Sequence, residues 1–336
     1  MTVREMLEKQ EHTQLNPKAA FSDESAGRLH PEEPRADDVR TCYQRDTDKI
    51  VHCKAFRRLM HKTQVFLSPE GDHYRTRMTH TLEVARIART IAKALDLNEY
   101  LAEAAAMGHD LGHTPFGHAG EGALSEAMGV PFCHNEQSLR VVDHLERGGE
   151  GLNLTYEVRM AILGHTGPRM PETFEGQIVR RADQMAYVNH DIDDAIRAGV
   201  LTNEDIPKDI ARVLGSSHTQ RINTLVCDAI ETSREAGKMQ LSDPVERALS
   251  DLRAFMFDRV YRNPVVKGEE QKAKDMLRRL YDYYYHNPHC IPEDFQPQMS
   301  LEGMERTVCD YIAGMTDNYA VDKYTELFIP MGWHVR

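Results

Sequence analysis

The sequence predicts an all-α chain with one small β-hairpin, near residues 63–76. Three observations lead there. Apolar residues recur at i, i+3 and i+4 in segment after segment, as they do in helices that bury one face. Only one stretch, TQVFLSPEGDHYRT, alternates apolar and polar residues around turn chemistry. Neither the P-loop nor the Rossmann glycine fingerprint occurs, so nucleotide-binding α/β architectures are not supported.

Taken in order, residues 1–40 are polar, carry Pro17, Pro31 and Pro34, and read as an N-terminal arm. From Arg40 the pattern changes, and RDTDKIVHCKAFRRLMHK sets Ile50, Ala55 and Leu59 on one helical face. The hairpin follows, with Val65 and Leu67 alternating before SPEGD. HTLEVARIARTIAKALDL then offers Leu82, Ala85, Ile87, Ile91 and Leu95 as an apolar stripe. In NEYLAEAAAMGHDLGH, Asn98 is an N-cap residue and Gly108 stands just before a His-Asp pair. Helical patterns continue over 135–146, 155–165, 174–198, 218–235 and 243–260, and through KAKDMLRRLYDYYYH and LEGMERTVCDYIAGMTDNYAVDKY. Gly/Pro breaks mark loops at 148–153, 164–171, 286–292 and 330–332. The resulting division is an arm (1–40), a helical core (41–200) and a C-terminal helical extension packed on it (201–336).

Composition narrows the function classes. The 336 residues are 40% hydrophobic, enough for a sizeable core rather than a disordered chain. No apolar run reaches a membrane span, and MTVREMLEKQEH lacks the apolar stretch of a signal peptide. The six Cys form no CxxC pair and read as reduced thiols of a cytoplasmic protein. A net charge of −12 argues against broad nucleic-acid coating while leaving room for a local basic pocket.

The residues able to do chemistry concentrate in HDLGHTPFGHAGE, which holds His109, Asp110, His113, His118 and Glu121. A lone His is more often a satisfied, partly buried side chain than a ligand, and a lone His-Asp pair means little. Here it is reinforced by His80 one helix upstream and Asp183 well downstream. On a helix His109 and His113 would share a face. Two imidazoles and two carboxylates would leave a six-coordinate divalent ion open positions for water and substrate oxygen. His118 and Glu121 stand i, i+3 if helical, so Glu121 could orient His118 as a general base. His134, in PFCHNEQSLRVV, is a second candidate for proton transfer or phosphate contact, and His113 joins the catalytic candidates. Arg57, Arg58, Lys62, Arg75 and Arg77 are cations for a polyphosphate, with Arg77 favoured by its closeness to His80.

Five segments in this order, RDTDKIVHCKAFRRLMHKTQVF, RTRMTHTLEVARIA, GHDLGHTPFGHAGE, HNEQSLRVV and RRADQMAYVNHDIDDA, resemble the deoxyguanosinetriphosphate triphosphohydrolase-like branch of the HD-domain superfamily. They span residues 40–194, and the order of helices continues the likeness to about residue 328. The resemblance implies an all-α HD fold with a small hairpin, and His80, His109, Asp110 and Asp183 as ligands of Mg²⁺, Mn²⁺ or Co²⁺, with Ni²⁺, Fe²⁺ or Zn²⁺ as alternatives. It implies a His118–Glu121 catalytic dyad, with His134 as a further active-site histidine. Arg77, Gln64, Tyr187 and Asp191 match positions that contact the nucleotide's phosphates and sugar. The implied reaction converts dNTP and water to deoxynucleoside and inorganic triphosphate. The implied partners are a dNTP substrate, a second nucleotide or single-stranded DNA as activator, and further copies of the chain, often a hexamer. One departure is RDTDKI where members often read RDRDRI. Two rival readings remain. One is another HD phosphohydrolase or phosphodiesterase, although neither a GYP element nor HDxxxED is present. The other is a non-catalytic nucleotide or single-stranded-DNA sensor.

Overall fold

The computed structural model describes residues 1–32, 38–64 and 75–330, with residues 264–267 described by their backbone alone. Sixteen α-helices lie among them: α1 (Val3–Gln14), α2 (Cys42–Val51), α3 (Lys54–Arg58), α4 (Arg77–Ala94), α5 (Glu99–Gly108), α6 (His118–Met128), α7 (His134–Arg140), α8 (Tyr156–Gly164), α9 (Phe174–Arg197), α10 (Lys208–Leu214), α11 (His218–Ala236), α12 (Asp243–Met256), α13 (Pro264–His286), α14 (Gln296–Glu302), α15 (Met304–Ala313) and α16 (Asp317–Phe328). Among the described residues β pairing is limited to two isolated antiparallel bridges, Arg28 with Thr155 and Thr63 with Thr76. The second sits where the expected hairpin would close; the hairpin itself lies outside the described residues. The chain is therefore all-α, and no described helix is long and apolar enough to cross a membrane.

The helix at the centre is α5. Leu101, Ala102, Ala104, Ala105, Ala106, Met107 and Gly108 are all buried, so it is covered on every side. Its alanines permit close approach, and α2, α4, α8 and α9 pack around it. On α4 the inward face is Val84, Ala85, Ile87, Ala88, Ile91 and Ala92. Leu82 departs from the expected stripe and is 43% exposed. At 100° per residue it stands about 200° round the helix from Val84. Each fully buried Leu or Ile in this bundle contributes about 1.5–3 kcal/mol.

The apolar residues form two clusters. The first runs from Ala19 to Val260 and includes α10, α11 and α12. The second joins Phe116, Ala123 and Leu124 to Leu277 and Leu280 on α13, Val308 and Ile312 on α15 and Ala320 on α16. The segment His109–Gly117 therefore passes from one cluster to the other. The polar N-terminal segment carries a helix of its own, capped by a reciprocal Thr2–Glu5 box. It is tied down where Arg28 pairs with the buried Asp46 and where Ala20 N donates to Glu175 at 3.0 Å.

Candidate metal centre and the histidines around it

Three helices deliver the four expected ligands. His80 lies in the first turn of α4, whose entry is capped by Thr76. Asp183 lies midway along α9, which Thr173 caps by accepting from Gly176 N at 3.1 Å. His109 and Asp110 follow the last residue of α5, whose N-terminus is capped by Asn98, accepting from Tyr100 N and Leu101 N. The helix does not continue, so His109 and His113 do not share a helical face as expected. The Ser138 hydroxyl on α7 accepts from Gly112 N at 2.8 Å and donates to His109 O at 2.7 Å. Those bonds take groups that a further helical turn would have used. Gly112 is required by the close approach, since a Cβ there would stand 2.1 Å from Ser138 N.

The four side chains converge, with His165, in two overlapping trios, His80–His109–Asp110 and His109–His165–Asp183, each with donor atoms within 4.8 Å of one another. His80 Nε2 is 3.1 Å from Asp183 Oδ1, and His109 Nε2 is 3.3 Å from Asp110 Oδ1 and 3.7 Å from Asp183 Oδ1. His109 Nδ1–H donates to Ala106 O at 2.6 Å, which leaves Nε2 as the lone-pair nitrogen. That atom is buried, has no hydrogen-bond partner and faces two carboxylates. A buried acceptor turned toward acceptors is unfavourable unless a cation stands between them. Burial alone would raise the Asp183 carboxyl, but the His80 hydrogen bond and the nearby imidazoles bring it to about 2. Asp110 is likewise held well below the usual range: burial opposes ionisation, and His109, His113 and Arg77 overcome it. The C-terminus of α5 adds negative helix dipole at the same point. Two carboxylate oxygens and two imidazole nitrogens suit a divalent transition ion and, less well, Mg²⁺.

Each imidazole has a supporting partner. His190 on α9 places Nδ1 3.3 Å from His80 Nδ1 and Nε2 2.6 Å from Glu83 Oε2. If His190 Nε2–H donates to Glu83, its Nδ1 accepts from His80, and His80 Nε2 faces the metal set. His165 ends α8 much as His109 ends α5: Nδ1 donates to Ile162 O at 2.7 Å. Its ring lies 4.9 Å from that of His109, and its Nε2 groups with His109 and Asp183 as a second candidate donor set. Burial, the largest influence, pushes His165 down to about 3, so it is neutral.

The expected pairing of Glu121 with His118 is not the one formed. Glu121 Oε1 accepts from His134 Nδ1 at 2.8 Å, and the His134 Nε2 reaches His165 Nε2 at 3.1 Å. The cause is the return of the chain. Gly129 ends α6 in the left-handed conformation, Phe132 N donates to Ser125 Oγ at 2.8 Å, and α7 then opens on His134 beside Glu121. His134 bonds acceptors at both nitrogens, as an imidazolium does. Burial opposes its charge, but Glu121 raises its pKa. His113 stacks on His134 with ring centroids 3.9 Å apart, and it is kept neutral by burial and by Arg77. Its Nδ1 is 3.3 Å from Glu121 Oε1 but forms no hydrogen bond there. His118, first residue of α6, presents an exposed ring 5.8 Å from His113 and 6.2 Å from His134.

Arg77 donates Nη1 to Asp110 Oδ2 at 3.0 Å and lies against Gly117, where a Cβ would stand 2.7 Å from its Nη2. Gln64 carries a buried, unpartnered Nε2. Asp183, Tyr187 and Asp191 stand one turn apart along α9. Arg253 lies over the Tyr187 ring at 5.8 Å, and the Tyr261 hydroxyl donates to the buried Asp191 carboxylate. Of the other expected cations, Arg75 pairs with Glu83, Asp193 and Asp194, and Arg57 donates to His52 O. Arg58 sits 4.0 Å from Glu146. Lys62 is 2% exposed and donates to the His113 and Ala313 carbonyls.

Burial pushes Asp191 up to about 7. The folded chain therefore holds a proton there that an unfolded Asp releases near pH 4, and this contribution to stability is lost as pH rises from about 4 to about 7. In chelator-treated protein, Asp191→Asn should gain Tm relative to the parent across that window. A Tm difference independent of pH would overturn it.

Sequence reasoning missed His165, His190, Glu83, Arg253 and Tyr261. A signal for His165 was present: His109, His113, His118 and His165 all follow Gly. Nothing local marks the others.

Residues 77–188 match the HD domain family, and residues 239–326 match the phosphohydrolase-associated domain. A deoxyguanosinetriphosphate triphosphohydrolase-like protein of Caldanaerobacter subterraneus subsp. tengcongensis is 54% identical over 99% of this chain and 98% of its own. One from Clostridium perfringens is 49% identical, covering 98% of each, and one from Geobacter sulfurreducens is 40% identical over 98% of this chain and 99% of its own. A solved structure of a hypothetical protein from Aquifex aeolicus is similar at TM-score 0.47 and 21% identity, covering 85% of this chain and 68% of that one.

Proposed function

This chain belongs to the deoxyguanosinetriphosphate triphosphohydrolase-like family of HD-domain proteins, and on that premise we propose that it hydrolyses deoxynucleoside triphosphates, dGTP or several dNTPs, to deoxynucleoside and inorganic triphosphate. The observation that carries the reading is the buried, unpartnered His109 Nε2 facing Asp110 and Asp183, with a Glu121–His134 pair alongside. His80, His109, Asp110 and Asp183 would hold a divalent ion. When bound, such an ion polarises a phosphoryl oxygen and makes water a better nucleophile.

Release of triphosphate as one unit requires water to attack the α-phosphorus and the bond to the 5′ oxygen to break. The leaving oxygen needs a proton. His134, whose pKa Glu121 raises, can donate one from Nε2 when the leaving oxygen takes the place of His165 as that nitrogen's acceptor. The neutral His113 and the exposed His118 lie beside it and can accept the proton of the attacking water. Arg77 and Arg253 offer charge to the phosphates. Tyr187, Asp191 and Gln64 offer a ring face, an acceptor and an amide to the nucleoside. Asp191, with Tyr261 already on one oxygen, suits a sugar hydroxyl.

The test is phosphorus NMR of products from single dNTPs and from mixtures, each with Mg²⁺, Mn²⁺ or Co²⁺. The mixtures supply any activating nucleotide. Triphosphate with free deoxynucleoside is the expected result. Nucleoside monophosphate with diphosphate would overturn the substrate reading in favour of another HD hydrolase. Binding without turnover under every condition would favour a nucleotide sensor.

A further inference from the structure

Residues 313–317, between α15 and α16, reach into the segment that carries the catalytic candidates. Asp317 is 1% exposed, and both its oxygens are in use. Oδ1 accepts from Phe116 N at 3.0 Å, and Oδ2 accepts from Thr63 N at 2.9 Å and from the Thr63 hydroxyl at 2.6 Å. Lys62, next to Thr63, is also buried and donates to the His113 carbonyl and, at 2.9 Å, to the Ala313 carbonyl. Two adjacent residues thus exchange four hydrogen bonds with the turn 113–116 and the α15–α16 junction.

The positions so tied matter individually. Phe116 has φ +60, a conformation a bulky residue rarely adopts without outside support. Gly117 has φ +55 and opens α6 at His118. Thr63 precedes Gln64, whose carbonyl oxygen lies 3.7 Å from where a Gly117 Cβ would be. A carboxylate at the start of α16 is favoured by the helix dipole, and its hydrogen bonds to N–H groups are charge-assisted, so it is a strong anchor. Burial pushes the Lys62 amine well below the usual lysine range, and its hydrogen bonds to two carbonyls offset part of that desolvation cost.

We propose that Asp317, together with Lys62, is a positioning residue of the active site. It holds the turn 113–117 in the conformation that aims His113, His118 and Glu121, so the C-terminal phosphohydrolase-associated region completes the site. The catalytic part of this inference rests on the proposed dNTP hydrolysis; the conformational part does not.

The experiment compares full-length Asp317→Ala, Asp317→Asn and Lys62→Met with the parent. Amide hydrogen exchange should quicken in peptides covering 109–121 and 59–64 while peptides from α4 and α9 stay protected, and bound Mn²⁺ should be unchanged. For Asp317→Ala kcat should fall about 10²-fold, the scale of a small misplacement of reacting groups, with KM within about threefold. Asp317→Asn should fall between, because its amide can accept on one side only. A merely structural anchor would lower Tm and speed exchange throughout, leaving kcat per folded molecule unchanged. That result, or parental exchange in 109–121, overturns the inference. If Asp317→Ala does not fold, Asp317→Asn decides: a parental kcat and exchange pattern overturns it. If the parent turns over no dNTP, the functional reading fails, and local exchange still decides the anchor.

Discussion

Asp183→Ala is expected to strip the divalent ion from the protein and to lower dNTP hydrolysis by about 10³-fold or more. Metal polarisation of a phosphoryl group supplies several kcal/mol to the transition state, and each decade of rate is about 1.4 kcal/mol. Asp183 is the right residue to remove because it faces both imidazoles, 3.1 Å from His80 Nε2 and 3.7 Å from His109 Nε2. Its neighbours on α9, Ala182, Met185 and Ala186, are buried core residues that the change leaves in place, so far-UV circular dichroism should match the parent. Elemental analysis is the deciding measurement. Equal metal in variant and parent would move Asp183 to a supporting role and make His165 the better candidate ligand, since its Nε2 lies in the same donor group.

The second large effect concerns Glu121. Glu121→Gln keeps the shape but removes the charge that raises the His134 pKa against burial, and His134→Ala removes the acid itself. Positioned acid–base groups contribute about 10²–10⁴-fold, and His134→Ala should cost a factor in that range, mostly in kcat. Glu121→Gln should cost less. The double variant should be little worse than His134→Ala, because the 2.8 Å hydrogen bond makes the two act as one unit. The pH profile carries a further sign. Glu121 raises the His134 pKa; in Glu121→Gln it falls, and an acid that must be protonated then loses activity at lower pH. The alkaline limb of kcat should therefore move to lower pH in Glu121→Gln. His118 forms no hydrogen bond with Glu121 and feels its charge only through space, so Glu121→Gln with His118→Ala should be closer to additive than Glu121→Gln with His134→Ala. The reverse pattern, coupling with His118 and additivity with His134, would restore the i, i+3 dyad that spacing suggested.

Helix content was legible because it is local. Apolar spacing, the Asn98 cap and the glycine stops are read within a few residues, and the structure forms helices there. The convergence of His80, His109, Asp110 and Asp183 was legible for a different reason: His and Asp side chains in this density have few other uses, and their order along the chain resembles a known family. Leu82 shows the limit even within one helix, since the stripe that matters is set by what packs against it.

What the sequence by itself determined was therefore the all-α class, the family and the chemical types gathered at the site. The tertiary structure alone decided who pairs with whom. Glu121 meets His134 because Gly129 and Ser125 turn the chain back, and spacing cannot anticipate a partner brought by a loop. His165, His190 and Glu83 enter through the packing of α8, α9 and α4, and Tyr261 through its bond to Asp191. Lys62, a plausible phosphate cation on sequence alone, is enclosed between two carbonyls, and Asp317 reaches Phe116 from 201 positions away. Helical periodicity is encoded by neighbours three and four residues apart. A hydrogen bond needs a donor and an acceptor within about 3 Å, and for residues far apart in the chain only the packed fold sets that distance.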